Sequence, residues 1–180
     1  MNFQLVDCKI KYTKLLFHRL NTHDFAELEH LTFGSKQFFN DLIQDELSYL
    51  FCGHNHDGVV ASCRLTDINN LDSKEMRYVK RFLPEELIND SVFISRLCVN
   101  PDFMGRRLYQ SLLGYVCAWA KCQLPQNLYI AKCQPNYVKL YQKFGCEVIN
   151  NSEHIDECSN LEYVILLGDI NKTYEIIKGK

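Results

Sequence analysis

A chain of 180 residues that is 47% hydrophobic and 23% charged has the make-up of one globular domain with a sizeable core. Its net charge of -2 argues against a general nucleic-acid binder, because neutralising a phosphate backbone takes a surplus of Lys and Arg. No run approaches the ~20 apolar residues of a membrane span, and the opening "MNFQLVDCKIKYTKLL" has no signal-peptide pattern.

Along the chain, "THDFAELEHLTF" predicts a helix with Thr22 as its N-cap, and "SKQFFNDLIQDEL" a second one capped by Ser35. "LSYLFCGHN" and "GVVASCRLT" predict antiparallel strands joined at Asp57-Gly58. Cys52, His54 and His56 alternate there and would share one side of a strand, as zinc ligands can. No fourth ligand stands at a familiar spacing, so the stretch reads as a hairpin turn and no metal is expected.

The polar stretch "NNLDSKEMRYVKRFLPEEL" predicts a long excursion with a short helix, and "SVFISRLCV" a strand closed by Asn-Pro. From Gly105 to Gln123, Leu108, Leu112, Tyr115, Trp119 and Cys122 recur at three- and four-residue steps, which predicts an amphipathic helix. "NLYIAKC" then reads as a strand, "NYVKLYQKF" as a helix ended by Gly145, and "CEVIN" and "EYVILL" as closing strands. Nothing is assigned after Gly168. There is no repeat and no linker, so residues 1–180 form one domain. Strands broken by helices give an α/β (α+β) fold with a mixed central sheet.

The nine cysteines are odd in number, irregularly spaced and set in apolar strings such as "YVCAWA", with no C-x-x-C. They read as reduced core thiols of a cytoplasmic protein. Arg106 and Arg107 stand where a helix begins, the end at which cations are disfavoured. Either an anion sits between them and the helix end, or both point into water at a cost of about tenths of a kcal/mol.

The order of elements, and above all the stretch from Val92 to Val148, resembles the GNAT-type acyltransferases. The pieces are "LCVNP", "FMGRRLYQSLL", "LYIAKC" and "YVKLYQKFGC", in order and at normal separations. Within that superfamily "VVASCRL" and "FISRLCV" are similar to the paired strands of the acyl-homoserine lactone synthases and the N-acyl amino acid synthases. "PNYVKLYQKFG" resembles a stretch of the latter. There are two departures. The glycine-rich turn of the acetyltransferases meets Met104, Arg107 and Tyr109 here, and the acidic residue before Ile-Ser-Arg of the lactone synthases is Phe93.

The resemblance implies a GNAT-like sheet whose strands splay near residues 92–99 and 127–133. It also implies an N-acyltransferase that moves an acyl group from a phosphopantetheine thioester, acyl-ACP or acyl-CoA, to the amine of a small molecule or peptide, with acyl carrier protein as a partner. Tyr141 would be the proton donor to the leaving thiolate, and a backbone N-H near Cys98 or Val99 would hold the oxyanion. Val99, Pro101, Met104, Gly105, Arg106, Arg107 and Leu108 would seat the donor. Arg64, Arg96 and Phe33 would border the acceptor. On residue grounds alone, Tyr141 also fits an aromatic core anchor, Phe33, Phe38 and Phe39 are core, and Arg64 and Arg96 are charges along a strand surface. Asp67 and Glu147 are candidate bases. An acetyl-CoA-dependent enzyme with a degenerate turn, and a noncatalytic acyl- or CoA-binding module, are the competing readings.

Overall fold

In a computed structural model, residues 16–19, 42–55, 58–103, 107–156 and 160–179 are described. The strands are Leu16–Arg19 (β1), Ser48–Asn55 (β2), Gly58–Asp67 (β3), Ser91–Val99 (β4), Leu128–Cys133 (β5), Glu147–Val148 (β6), His154–Ile155 (β7) and Glu162–Asp169 (β8). They form one sheet in the order β1-β2-β3-β4-β5-β8-β6, with β7 also pairing β8. Among the described strands, only β4 and β5 run parallel. A parallel pair needs a crossover, and the predicted amphipathic helix supplies it as Leu108–Gln123 (α4). The remaining helices are Leu42–Glu46 (α1), Ser73–Phe82 (α2), Glu85–Asn89 (α3), Val138–Gln142 (α5) and Ile170–Lys178 (α6).

The mixed sheet flanked by helices is as the sequence predicts, with differences in detail. The β2–β3 hairpin pairs Asn55 with Gly58, so Gly58 already belongs to a strand and the connection lies one residue earlier than expected. The helix over "THDFAELEHLTF" lies outside the described residues. The excursion between β3 and β4 holds two helices, α2 capped by the Asp72 side chain and α3 entered through Pro84.

Period-two alternation divides β5 between two cores. Tyr129, Ala131 and Cys133 join Leu112, Val116 and Leu166 under α4 and α6. Ile130 joins Val79, Ile88, Phe93 and Ile165 under α2 and α3. The middle of α4 is buried almost all round, because α6 covers the side turned away from the sheet. Gly114 permits that close approach: a Cβ there would lie 2.8 Å from Ile177 Cγ2. Cys122, placed on the apolar stripe by spacing, is exposed.

Helix α6 has no counterpart in the sequence reading. "INKTYEIIK" is rich in β-branched residues, which are mediocre helix formers. Packing decides instead, with Ile170 and Thr173 buried and the Asp169 side chain capping the Lys172 N–H at 2.8 Å. The strand expected over "CEVIN" stops at Val148 and pairing resumes at β7. Between them the Ser152 hydroxyl accepts from the Ile165 N–H at 2.9 Å, standing in for a ladder bond.

Tyr129 on β5 lies directly across from Gly168 on β8. A Cβ on Gly168 would fall 2.2 Å from the Tyr129 ring, which is 0% exposed and has nowhere to go. Its hydroxyl lies 2.9 Å from Cys146 Sγ and 3.0 Å from Thr173 Oγ1, and Thr173 donates to the Phe144 carbonyl at 3.0 Å. Because a carbonyl only accepts, the proton order runs from Cys146 through Tyr129 and Thr173 to Phe144. Gly168→Ala is expected to destabilise the fold by about 1–3 kcal/mol through overpacking, read as a lower denaturant midpoint at unchanged slope. A wild-type midpoint would mean that the ring yields.

Candidate active site

The site is built where β4 leaves its neighbours. Ser62 pairs with Cys98 and Arg64 with Ser95, so Cys63 alone faces both Arg96 and Leu97. That is a β-bulge, and Arg96 adopts φ 51 within it. The parallel ladder between β4 and β5 spans only Ser91–Ile94 against Leu128–Ala131, although the strands continue to Val99 and Cys133. They part beyond Ile94 and Ala131, the later portion of the ranges 92–99 and 127–133 where splaying is expected. Cys98 and Val99 lie on this parted stretch.

Arg64 and Arg96 are not surface charges. Arg64 Nη1 donates to Asp45 Oδ1 at 2.8 Å and Arg96 Nη1 to Asp45 Oδ2 at 3.1 Å, with side-chain exposures of 7%, 6% and 0% for the two arginines and the acid. Arg64 Nε also donates to Ser95 Oγ at 2.9 Å. One carboxylate from α1 thus holds guanidinium groups from β3 and from the bulge. Sequence reasoning missed Asp45. Its only signal is an acid just before the apolar run "LSYLF", which also fits an ordinary helix end.

Tyr141 projects from α5 into the same region. It is 9% exposed. Burial pushes this phenol far above its usual range, and the thiols of Cys133, Cys63, Cys146 and Cys98 add to the effect. Tyr141 therefore stays protonated at any working pH. With Leu97, Tyr109, Leu113, Leu140 and Phe144 it lines a small apolar hollow. Tyr141 thus stands at the end of the parted strands, beside Leu97 and within electrostatic reach of Cys98. Gly145, at φ 85, stops the segment after α5 in the way its position predicts.

The turn into α4 keeps a glycine's conformation without the glycine. Arg107 is the N-cap of α4 at φ 57, ψ 22, makes no side-chain capping bond and is exposed. A left-handed non-glycine residue costs roughly 1–2 kcal/mol. Upstream, Pro101–Phe103 is a single 3-10 turn pinned by Asn100, whose side chain accepts from the Asp102 N–H at 3.0 Å. Leu108 is buried. Met104, Gly105, Arg106, Phe33, Phe38 and Phe39 lie outside the described residues. Asp67 pairs with Val92 at the far end of β4 and caps the 3-10 turn Ile68–Asn70. Glu147 is exposed on β6, beyond β5 and β8 from β4. Neither acid is brought to the parted strands.

Strand order, the bulge in β4 and the parting from β5 together define a known architecture. The chain has the GNAT fold. Solved structures that share it include IAA acetyltransferase from Bacillus cereus, at 12% identity and TM-score 0.61 over 87% of this chain and 99% of that one. The CoA-dependent acyl-homoserine lactone synthase BjaI matches at 16% identity and TM-score 0.66 over 88% of this chain and 79% of its own. The ribosomal-protein-S18-alanine N-acetyltransferase from Escherichia coli matches at 14% identity and TM-score 0.60 over 87% and 94%. No protein-family model and no curated protein sequence matches the chain. Of the two groups in the branch the resemblance points to, the lactone synthases are represented among GNAT-fold structures similar to this one, beside acetyltransferases. Among the described residues, no helix is long and apolar enough to cross a membrane.

Cysteine placement follows burial. Burial pushes Cys133 and Cys146 up to about 11, with Cys146 adding to the shift of Cys133, and with the Tyr129 hydrogen bond and Lys172 opposing the shift of Cys146. The thiolate is the reactive form. Alkylation of the native protein near neutral pH is expected to modify Cys122 at least ~10²-fold faster than Cys133 or Cys146. Equal rates by peptide mapping would show that these core thiols are open.

Proposed function

We propose that this protein is an N-acyltransferase, moving a fatty acyl group from a phosphopantetheine thioester to the amine of a small molecule or peptide. The observation that carries the reading is a buried, protonated Tyr141 side chain beside Leu97, at the end of strands β4 and β5 where they part. A pantetheine arm would lie along the parted edge of β4 like an added strand, with an N-H near Cys98 or Val99 facing the developing oxyanion. The neutral amine attacks the carbonyl carbon, a C–N bond forms, and the C–S bond breaks. Tyr141 gives its proton to the departing thiolate. The amine's proton leaves to solvent or to a base outside the residues assigned here.

Acyl-ACP and acyl-CoA are both donors of the right chemistry, and carrier protein is the favoured one. Arg107 and Tyr109 occupy two positions that glycines hold in the pyrophosphate-binding turn, which suits a single phosphodiester better than a pyrophosphate. Arg64 and Arg96 act chiefly by shaping the bulge through Asp45, and the acceptor's carboxylate is their second candidate role. A cytoplasmic setting belongs to the same reading. Incubation with acyl-ACP, acyl-CoA and acetyl-CoA, followed by thioester loss, tests it. Turnover of a long-chain donor supports it; turnover of acetyl-CoA alone makes it an acetyltransferase; none with any donor makes it a binding module.

Arg107→Gly separates the charge from the backbone. Relief of the left-handed residue is expected to raise stability by about 1 kcal/mol, whereas Arg107→Ala leaves that strain in place. Loss of a hydrogen bond to a charged group should weaken acyl-ACP binding by ~1.5–3 kcal/mol in either variant. The ratio of kcat/KM for matched acyl-ACP and acyl-CoA should move toward acyl-CoA in Arg107→Gly. A fixed ratio would remove Arg107 from the donor site.

A further inference from the structure

The hollow beside Tyr141 has a cavity volume of about 10 Å³, far below the roughly 300 Å³ of pockets that take a small ligand. As it stands, it does not admit a thioester arm. Two of its lining rings pair with each other. Tyr109, in the first turn of α4, and Phe144, just after α5, have centroids 6.0 Å apart and planes tilted by 58°. They are held unequally. Phe144 is 2% exposed, sits in the core and receives the Thr173 hydroxyl on its carbonyl at 3.0 Å. Tyr109 is half-buried and stands two residues past the left-handed turn at Arg107. If one ring moves, it is Tyr109.

We infer that Tyr109 has two positions, one capping the hollow against Phe144 and one swung outward, with its hydroxyl donating to the phosphate of the arriving donor. The inference rests on the donor-site reading above. A ligand shifts such an equilibrium only by its different affinity for the two states, and the phosphate bond is that difference. Arg107 draws an anion to the right place: its charge already acts on the Tyr109 phenol, partly offsetting the upward shift from burial. An outward swing exposes the wall formed by Leu97, Leu113 and Tyr141, so the thioester reaches its proton donor only behind a bound phosphate. The side chain would then favour donors that carry a phosphate over thioesters that lack one.

The test is an NMR titration of the full chain with pantetheine and with 4′-phosphopantetheine. An aromatic pair is worth roughly three- to tenfold in such an equilibrium, and a cap lowers apparent affinity by the fraction of protein that is open. Tyr109→Ala, which has no cap, should bind pantetheine about three- to tenfold more tightly than wild type. Tyr109→Phe keeps the cap and loses the hydroxyl. It should bind pantetheine like wild type and phosphopantetheine about tenfold more weakly. Pantetheine binding that is unchanged in Tyr109→Ala, or phosphopantetheine binding unchanged in Tyr109→Phe, overturns the two-position side chain and leaves the donor site standing. Binding of neither probe by any variant removes the donor site, and the inference with it.

Discussion

Tyr141→Phe is expected to lower turnover by ~10²-fold or more while leaving donor affinity nearly unchanged, since a positioned proton donor contributes at least that much. The phenyl ring keeps the packing of the hollow and removes only the hydroxyl. Stability should therefore stay within about 1 kcal/mol of wild type. This separates a catalytic tyrosine from an aromatic anchor, because the anchor would keep its activity in the Phe variant. Rapid-quench measurement of a single turnover isolates the chemical step. Near-wild-type chemistry there would return Tyr141 to the core and leave the leaving thiolate without a protein acid.

Asp45→Ala is expected to cost about 3–5 kcal/mol, the range for removing one partner of a buried ion pair. In a chain of 180 residues this lowers the melting temperature by roughly 6–20 °C. The loss is large because two guanidinium groups, at 7% and 6% exposure, share this one carboxylate. Asp45→Asn keeps the shape, so a smaller loss in that variant would isolate the part due to charge. Thermal unfolding followed by circular dichroism reads both. A loss under about 1 kcal/mol in Asp45→Ala would mean that the bulge at Arg96 stands without the ion cluster.

The elements most legible in the sequence are those whose local chemistry and packing agree. "SVFISRLCV" and "LYIAKC" are dense in strand formers, and the helix between them repeats its apolar residues at helical steps. Together they dictate a parallel pair with a crossover. Gly145 announces the end of α5 for the same reason, since its left-handed backbone suits glycine. Legibility fails where tertiary contact decides. The residues of α6 favour no element strongly, and their helix follows from the groove that Gly114 leaves open on α4. The interrupted strand β6–β7 depends on one serine hydroxyl, and nothing in "VINNSEHI" marks Ser152 as the residue that replaces a backbone group.

The candidate site divides the same way. Tyr141 and the parted strands follow from motifs that run continuously in the chain. Asp45 does not, because its partners lie 19 and 51 residues away and only the folded sheet joins them. The turn is an intermediate case. Its departure from a glycine pattern is plain in the letters, but only the backbone shows that Arg107 retains the glycine's left-handed conformation.

The packing of α6 has a consequence for how the chain is made. Residues 170–178 close over α4, and Thr173 completes the bonded chain through Tyr129 to the segment that follows Tyr141. While synthesis is still short of residue 178, the face of α4 around Gly114 has no cover, and the Tyr129 hydroxyl lacks one of its partners. A nascent chain can therefore assemble its sheet before it can assemble the wall around Tyr141. The interval between those events leaves an apolar helix face exposed, the kind of surface that makes a folding intermediate prone to aggregate.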